Sequence, residues 1–518
     1  MSRMSEIVLE ASQPLSKSLL WKLQRRFYEE KRLRAWSQGV VPHYITSNPF
    51  LARSYARLTA AYLRDRSAGI DAREPVYLIE LGAGSGRFGY QFLKQALSLP
   101  APFKYVMTDF SEAAVAELSA LPFFRPLVEA GALDFACFDA EAPQPLRLLH
   151  GGEVLAPGSL ANPLLVVANY FFDGIPQDVF LLSEGALHEA RVTLLSPAGE
   201  PATDPGEILH QLELEYSYEP AENEAFYGEE GLDDLLAEYR ATLDSTNLAF
   251  PCAALRCLDW LSKLSAGGML LLTADKGYIH EEALLNRVAP EVAWHGSLSM
   301  SVNYHALGRF FERRGGTVFQ TRRRRSNLRI CAMALGHPAE ALRETARAFD
   351  DAVEHQGADD FFLMKLGLES AHASLSLHQI LSYLRFSEWD AQIFLGLSGR
   401  LSELAAEADP ETRQEIYLAT RNIWNLYLPI GESRDLAFQL AIVLTAIDYL
   451  PEALELFAHS LQLHGPDAST FYNIAVCHSR LRQPRLALEA VEKALELAPD
   501  DSDARALRIR LRGDLAAG

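Results

Sequence analysis

The run Val76-Tyr77-Leu78-Ile79-Glu80-Leu81-Gly82-Ala83-Gly84-Ser85-Gly86-Arg87-Phe88 constrains this chain more than any other stretch. An apolar run feeds directly into glycines at alternate positions, and a helical pattern through 90–97 follows. Strands buried on both faces of a parallel sheet read as continuous apolar runs, and glycine lets a turn approach a ligand where a Cβ would clash. Strand, tight turn and helix in that order predict one unit of a helix-covered parallel sheet. Similar apolar runs, each trailed by a helical stretch, lie at 103–108, 133–138, 164–168 and 269–273. Gly315-Gly316 then precedes a predicted hairpin, 317–321 with 328–334. The expected fold is α/β, a Rossmann-like, mostly parallel seven-stranded sheet closed by an antiparallel pair.

Glycine spacing narrows the ligand. Dinucleotide binders want Gly-x-Gly-x-x-Gly, but Arg87 stands where the third glycine is needed. An acidic residue, Glu80, ahead of Gly82, Gly84 and Gly86 instead resembles motif I of class I methyltransferases. That resemblance implies S-adenosylmethionine as cofactor. Asp109 follows the second strand, 27 residues beyond Gly82, where a carboxylate can accept from ribose hydroxyls. Asp139 follows the third strand, placed to accept from an adenine amino group. The structural alternative for either aspartate is a helix N-cap.

The fourth strand leads into Val167-Ala168-Asn169-Tyr170-Phe171-Phe172-Asp173-Gly174-Ile175-Pro176. This stretch resembles the Asn-Glu-Phe-Phe-Asp-Ala-Leu-Pro segment of the MidA-like methyltransferase family. That family includes the mitochondrial arginine methyltransferase needed for respiratory complex I assembly. Tyr44-Ile45-Thr46-Ser47-Asn48-Pro49 resembles its Thr-x-Pro-Glu segment. Ser299-Met300-Ser301-Val302-Asn303-Tyr304-His305-Ala306-Leu307 resembles its late Asp-Leu-Thr-Ala-His-Val-Asp-Phe stretch. The likeness spans roughly residues 40–335, with the specific matches confined to these patches. It implies methyl transfer, with Asn169, Tyr170 and Asp173 beside the reacting group. Two departures stand out: Gly82-Ala83-Gly84 replaces the family's Gly-Pro-Gly, and Tyr170 replaces its acidic residue. An arginine methyltransferase needs carboxylates to orient the guanidinium, so Tyr170 counts against arginine as acceptor. Phe171 and Phe172 also fit plain core positions, and His305 fits a structural role as well as a base.

Three regions are expected: a helical segment at 1–75, the cofactor domain at 76–335 with an insertion at 181–268, and helices from 336 to 518. A chain of 518 residues is too long for one core. Ala441, Ala453 and Ser460 return 34 positions later as Ala475, Ala487 and Ala494, the period of tetratricopeptide repeats. Such repeats bind peptides or helices, which implies a protein partner or substrate. The insertion is acidic and aromatic, with Glu213, Glu215, Tyr216, Tyr218, Glu219, Glu222, Glu224, Phe226, Tyr227, Glu229, Glu230, Asp233 and Asp234. It reads either as a solvated helix and loop or as a lid over the acceptor.

Net charge of −20 argues against sequence-independent nucleic-acid binding, and the isolated run at 322–325 does not reverse that. No apolar run of about 18 residues occurs, so no membrane span is expected. Glu6, Glu10 and the early basic residues disfavour a signal peptide. Five scattered cysteines without a Cys-x-x-Cys pair predict neither disulfides nor zinc, and a cytoplasmic setting. The leading expectation is a methyltransferase acting on a protein. Its rivals are a small-molecule methyltransferase whose repeats drive homo-oligomerisation, and a non-catalytic assembly scaffold.

Overall fold

A computed structural model describes residues 7–96, 99–196, 204–221, 225–294, 296–323 and 328–517. Glu6, Leu97, Glu222, Glu224, Arg324 and Arg325, singled out above, lie outside the described residues. The chain divides into two compact units, Met1–Asp360 and Phe361–Gly518.

The first unit begins with β1 (Ile7–Pro14), α1 (Leu19–Lys31), α2 (Arg34–Ser37) and α3 (Pro49–Asp65). Asn48 starts α3. Its Oδ1 accepts from Leu51 N at 2.9 Å, its amide donates to the Tyr44 and Ile45 carbonyls, and Pro49 fills the first turn. Next come β2 (Val76–Glu80), α4 (Arg87–Gln95), β3 (Phe103–Asp109), α5 (Glu112–Ser119), β4 (Leu133–Cys137) and β5 (Leu164–Asn169). The following stretch holds β6 (Asp178–Ser183), β7 (Ala186–Ser196), β8 (Glu213–Pro220), α6 (Glu230–Thr242) and β9 (Thr246–Phe250). The unit ends with α7 (Cys252–Ser262), β10 (Met269–Asp275), α8 (Tyr304–Glu312), β11 (Thr317–Gln320), β12 (Arg329–Leu335) and α9 (Arg343–Phe349).

The main sheet has seven strands in the order β11-β12-β10-β5-β2-β3-β4. Only β12 runs antiparallel to its neighbours; the remaining pairings are parallel. All seven residues of β10 are buried, which explains its unbroken apolar pattern. From β2 the chain steps outward to β3 and β4, then crosses back to β5 on the other side of β2. Ligands of open α/β sheets bind at such reversals, outside the carboxyl ends of the strands.

A second, antiparallel sheet runs β1-β7-β6-β9, with β8 also on β7. Two sequence expectations change here. Residues 1–75 are not wholly helical, because β1 pairs with β7, Ile7 opposite Ser196. The insertion at 181–268 is not a helix and loop alone: the end of β6 and all of β7, β8 and β9 lie in it beside α6 and α7. Along β8, Leu214, Tyr216 and Tyr218 are half-buried while Glu213, Glu215, Ser217 and Glu219 are exposed. That is the two-residue period of a one-sided strand, hidden in the sequence by its acidity. Arg322 pairs with Asp350 and Glu354, and Arg323 with Asp360, so these two arginines are locally neutralised.

The first unit runs past 335 because α9 returns to α3. Asp65 accepts from Glu344 N at 3.1 Å and from Thr345 N and Oγ1 at 2.8 Å each, and Phe349 is buried. Truncation after 360 is therefore expected to leave a folded protein, whereas truncation after 336 loses roughly 3 kcal/mol from these bonds and the exposed apolar face. Urea unfolding of the two fragments checks this; equal midpoints refute it.

The second unit is all-helical among its described residues. Its last six helices are α10 (Pro410–Leu426), α11 (Leu436–Ala446), α12 (Leu450–His464), α13 (Ala468–Arg480), α14 (Pro484–Leu497) and α15 (Ser502–Ala517). Ala441, Ala453, Ser460, Ala475, Ala487 and Ala494 are all buried, so the 34-residue period places small residues inside the packing. No helix among the described residues is long and apolar enough to cross a membrane.

Candidate functional site

A cavity of about 410 Å³ opens at the carboxyl ends of β2, β3 and β5. Pockets of this size take small molecules and cofactors. Its floor includes Glu80, Gly82, Gly84, Ser85, Asp109 and Asn169, and Tyr170, Phe171, Asp173 and Lys276 continue the lining. Its cover comes from the N-terminal arm, through Gln24, Arg25, Tyr28, Trp36 and His43, and from residues 297–299. None of the acidic insertion residues named above lines it among the described residues.

The glycine turn needs its glycines twice over. Gly82, Gly84 and Gly86 have φ of +61°, +55° and +70°, in the left-handed region that side chains disfavour. A Cβ on Gly82 would also lie 2.9 Å from the Phe171 ring, and one on Gly84 2.8 Å from the Trp36 ring. Trp36 in turn stacks on Tyr28, with centroids 5.7 Å apart.

Beneath the turn, Glu80 is 5% exposed and its Oε2 accepts from the Tyr105 hydroxyl at 3.0 Å. Burial pushes its carboxyl up to about 8. Asp109 lines the cavity and accepts from Ser111 N at 3.1 Å. Burial raises it to about 6, against the backbone N–H groups and Arg25 that hold it down. It is not a helix cap; that role belongs to Ser111 on α5. Asp139 is placed differently from expectation. Its carboxylate takes a bidentate pair of bonds from Arg25, at 3.1 and 2.8 Å, and it is not among the lining residues. Glu141 lines the cavity instead, also bonded to Arg25, whose guanidinium lies over the Phe110 ring at 4.3 Å.

The end of β5 brings Asn169, Tyr170 and Asp173 to one wall. Tyr170 has φ +47°, a strained conformation for an aromatic residue, in the turn between the other two. Asn169 Oδ1 accepts from the buried Tyr55 hydroxyl of α3 at 2.9 Å. The Asp173 backbone N–H donates to Asp275 Oδ2, at the end of β10, at 3.1 Å, which sets the two acids side by side. Burial raises both acids, Asp173 to about 6 and Asp275 well above the carboxylate range. Phe172 is buried core. His305 lies elsewhere, half-buried, with Nδ1 2.8 Å from the Tyr239 hydroxyl and no place in the lining.

Sequence reasoning missed Tyr55, Asp275 and the arm residues Gln24, Arg25 and Trp36. Asp275 carried the same signal as Asp109, an acid closing a buried strand. Gln24 binds the Leu298 backbone reciprocally, at 2.7 Å in each direction, across 274 residues, which no local pattern reveals.

No family model matches the chain. A stretch of 129 residues is 28% identical to the non-reducing polyketide synthase dpmpA of Macrophomina phaseolina (strain MS6), over 24% of this chain and 6% of that protein. The chain thus spans a small fraction of that relative's length. Among solved structures, a COG1565 superfamily member from Burkholderia thailandensis bound to S-adenosyl-homocysteine is 13% identical. It covers 77% of this chain and 92% of its own, at a TM-score of 0.34. The plantazolicin methyltransferase BpumL in complex with S-adenosyl-homocysteine is 12% identical, covering 61% and 100%, at 0.26.

Proposed function

We propose that the chain is an S-adenosylmethionine-dependent methyltransferase. The observation that carries this is the meeting of the glycine turn and Asp109 in one cavity at the reversal of the strand order. The turn's bare backbone borders the cavity, and its positive φ angles favour glycine, as a closely held ligand requires. Gly82, Gly84 and Ser85 would hold the amino-acid end of the cofactor, and Asp109 the ribose. Glu141 and Phe110 flank the adenine end, and Asp139 acts through Arg25. The cofactor supplies an already activated methyl group. The protein's work is then alignment and exclusion of water, and the arm residues Tyr28 and Trp36 provide the cover.

In this reading the acceptor is a protein, and the helical second unit, with its 34-residue period, is a tetratricopeptide-like solenoid that recruits it. Five free cysteines agree with a cytoplasmic setting. Arginine is the weaker choice of acceptor, since Tyr170 stands in place of an acid. Calorimetry with S-adenosyl-homocysteine tests the cofactor. Asp109→Ala should weaken binding roughly 10- to 100-fold, the worth of one or two hydrogen bonds to a charged group. Unchanged affinity would overturn the assignment.

A further inference from the structure

Asn169 and Asp173 present opposite hydrogen-bonding characters to the acceptor end of the cavity, and each is set by a buried neighbour. A side-chain amide has one donor end and one acceptor end. The Tyr55 hydroxyl occupies the acceptor end of Asn169, at 2.9 Å from Oδ1. Nδ2 is left shielded from solvent with no hydrogen-bond partner, on a residue that lines the cavity. A buried donor left unmade costs on the order of 1–3 kcal/mol, and such groups persist where a ligand satisfies them.

Asp173 carries the opposite character. The Asp173 backbone N–H on Asp275 Oδ2 sets the two buried acids side by side, where like charge favours one shared proton over two ionised groups. Asp275 is fully buried, and that burial opposes its ionisation more than the backbone N–H groups of Lys276 and Asp173, which donate to its oxygens at 2.8 and 3.1 Å, favour it. Asp173 reaches the cavity and has Lys276 to favour its ionised form. The proton therefore resides on Asp275, which donates it to Asp173 and leaves Asp173 an acceptor.

Resting on the methyltransferase reading, we propose that the accepting group is a carboxamide, its carbonyl oxygen held by Asn169 Nδ2 and its N–H by the Asp173 carboxylate. Tyr55 and Asp275 are positioning residues that fix these two polarities. A guanidinium offers donors alone and leaves Nδ2 unpartnered; a carboxylate offers acceptors alone and meets Asp173. A carboxamide offers one of each on adjacent atoms. In a protein acceptor it is the side chain of glutamine or asparagine. In the transfer, the amide nitrogen bonds to the methyl carbon as the carbon–sulfur bond of S-adenosylmethionine breaks. The electron pair of that bond stays on sulfur, giving the thioether. The nitrogen's proton passes to Asp173, and the product is the N-methyl carboxamide.

The test uses the full chain saturated with S-adenosyl-homocysteine and ligand-observed NMR with acetamide, methylguanidinium and ethanol. Acetamide should bind at least tenfold more tightly than the other two, a difference of one satisfied hydrogen bond. Asn169→Asp replaces the donor by an acceptor and should invert the order of acetamide and methylguanidinium. Tyr55→Phe frees the amide to turn over and should erase most of the preference, while S-adenosyl-homocysteine affinity stays within about threefold. No detectable acetamide binding, tighter binding of either other probe, or an unchanged order in Asn169→Asp overturns the proposal. Cofactor affinity separates the failures: a variant that loses it has lost its fold, and the order in the unmodified chain still decides. A chain that never binds S-adenosyl-homocysteine refutes the methyltransferase reading itself.

Discussion

Replacing Glu80 by glutamine is expected to stabilise the cofactor-free protein by about 4 kcal/mol at pH 8 and to change it little at pH 4. The carboxyl is packed under α4, where a Cβ on Gly89 would lie 2.6 Å from Glu80 Oε2, and the Tyr105 hydroxyl meets it. Its folded value of about 8 stands above the ordinary 4.5. A raised acid favours the protonated folded state, so its contribution is full below pH 4.5 and is lost as pH rises through 8. Each unit of that gap is worth about 1.4 kcal/mol. Glutamine keeps the acceptor for Tyr105 and never ionises, so it escapes the loss. Denaturant unfolding of both proteins at pH 4 and pH 8 measures the gap; parallel behaviour at the two pH values refutes it.

Gly84→Val should cost at least a hundredfold in S-adenosyl-homocysteine affinity. The position requires φ +55°, which a β-branched residue adopts only with strain. The new Cβ would sit 2.8 Å from Trp36 Cζ2, so the ring must leave, and its stacking on Tyr28 goes with it. Two parts of the cavity wall are displaced by one substitution, and about 3 kcal/mol is the expected loss. Trp36→Ala alone removes the clash but not the strain, so adding it to Gly84→Val should recover only part of the affinity. Retained binding in Gly84→Val, measured by calorimetry, would mean that the ligand lies elsewhere.

What the sequence makes legible here is what is local. A strand that ends in a glycine turn is written in consecutive residues, so the turn at 82–86 and the sheet built around it are readable without coordinates. Asp109 is legible because it closes its strand. Asp275 closes β10 in the same way, but that strand was expected to end at 273, and the acid beyond it went unexamined. The adenine role given to Asp139 met a different obstacle. Its partner Arg25 lies 114 residues earlier, on a helix whose charges look like an ordinary solvated face. The acidic insertion reads from sequence either as a solvated helix and loop or as a lid, because composition does not reveal which sheet a strand joins. A charge pattern can show which face of β8 meets water, but not that the other face packs on the cluster around Trp21 and Phe27 or that its edge pairs with β7.

The pairing of β1 with β7 has a consequence for the order in which the molecule is made. Ile7 lies opposite Ser196, so the arm's anchoring strand has no partner until nearly 190 further residues have been synthesised. At roughly 5–20 residues per second, that wait lasts on the order of ten seconds or longer. During it, β2 to β5 and their glycine turn can already form behind the unattached arm. Trp36, Tyr28 and Arg25 are therefore not anchored over the turn before β7 is made, and residues 297–299 of the cover follow later still. A cofactor present during synthesis meets its floor before its roof.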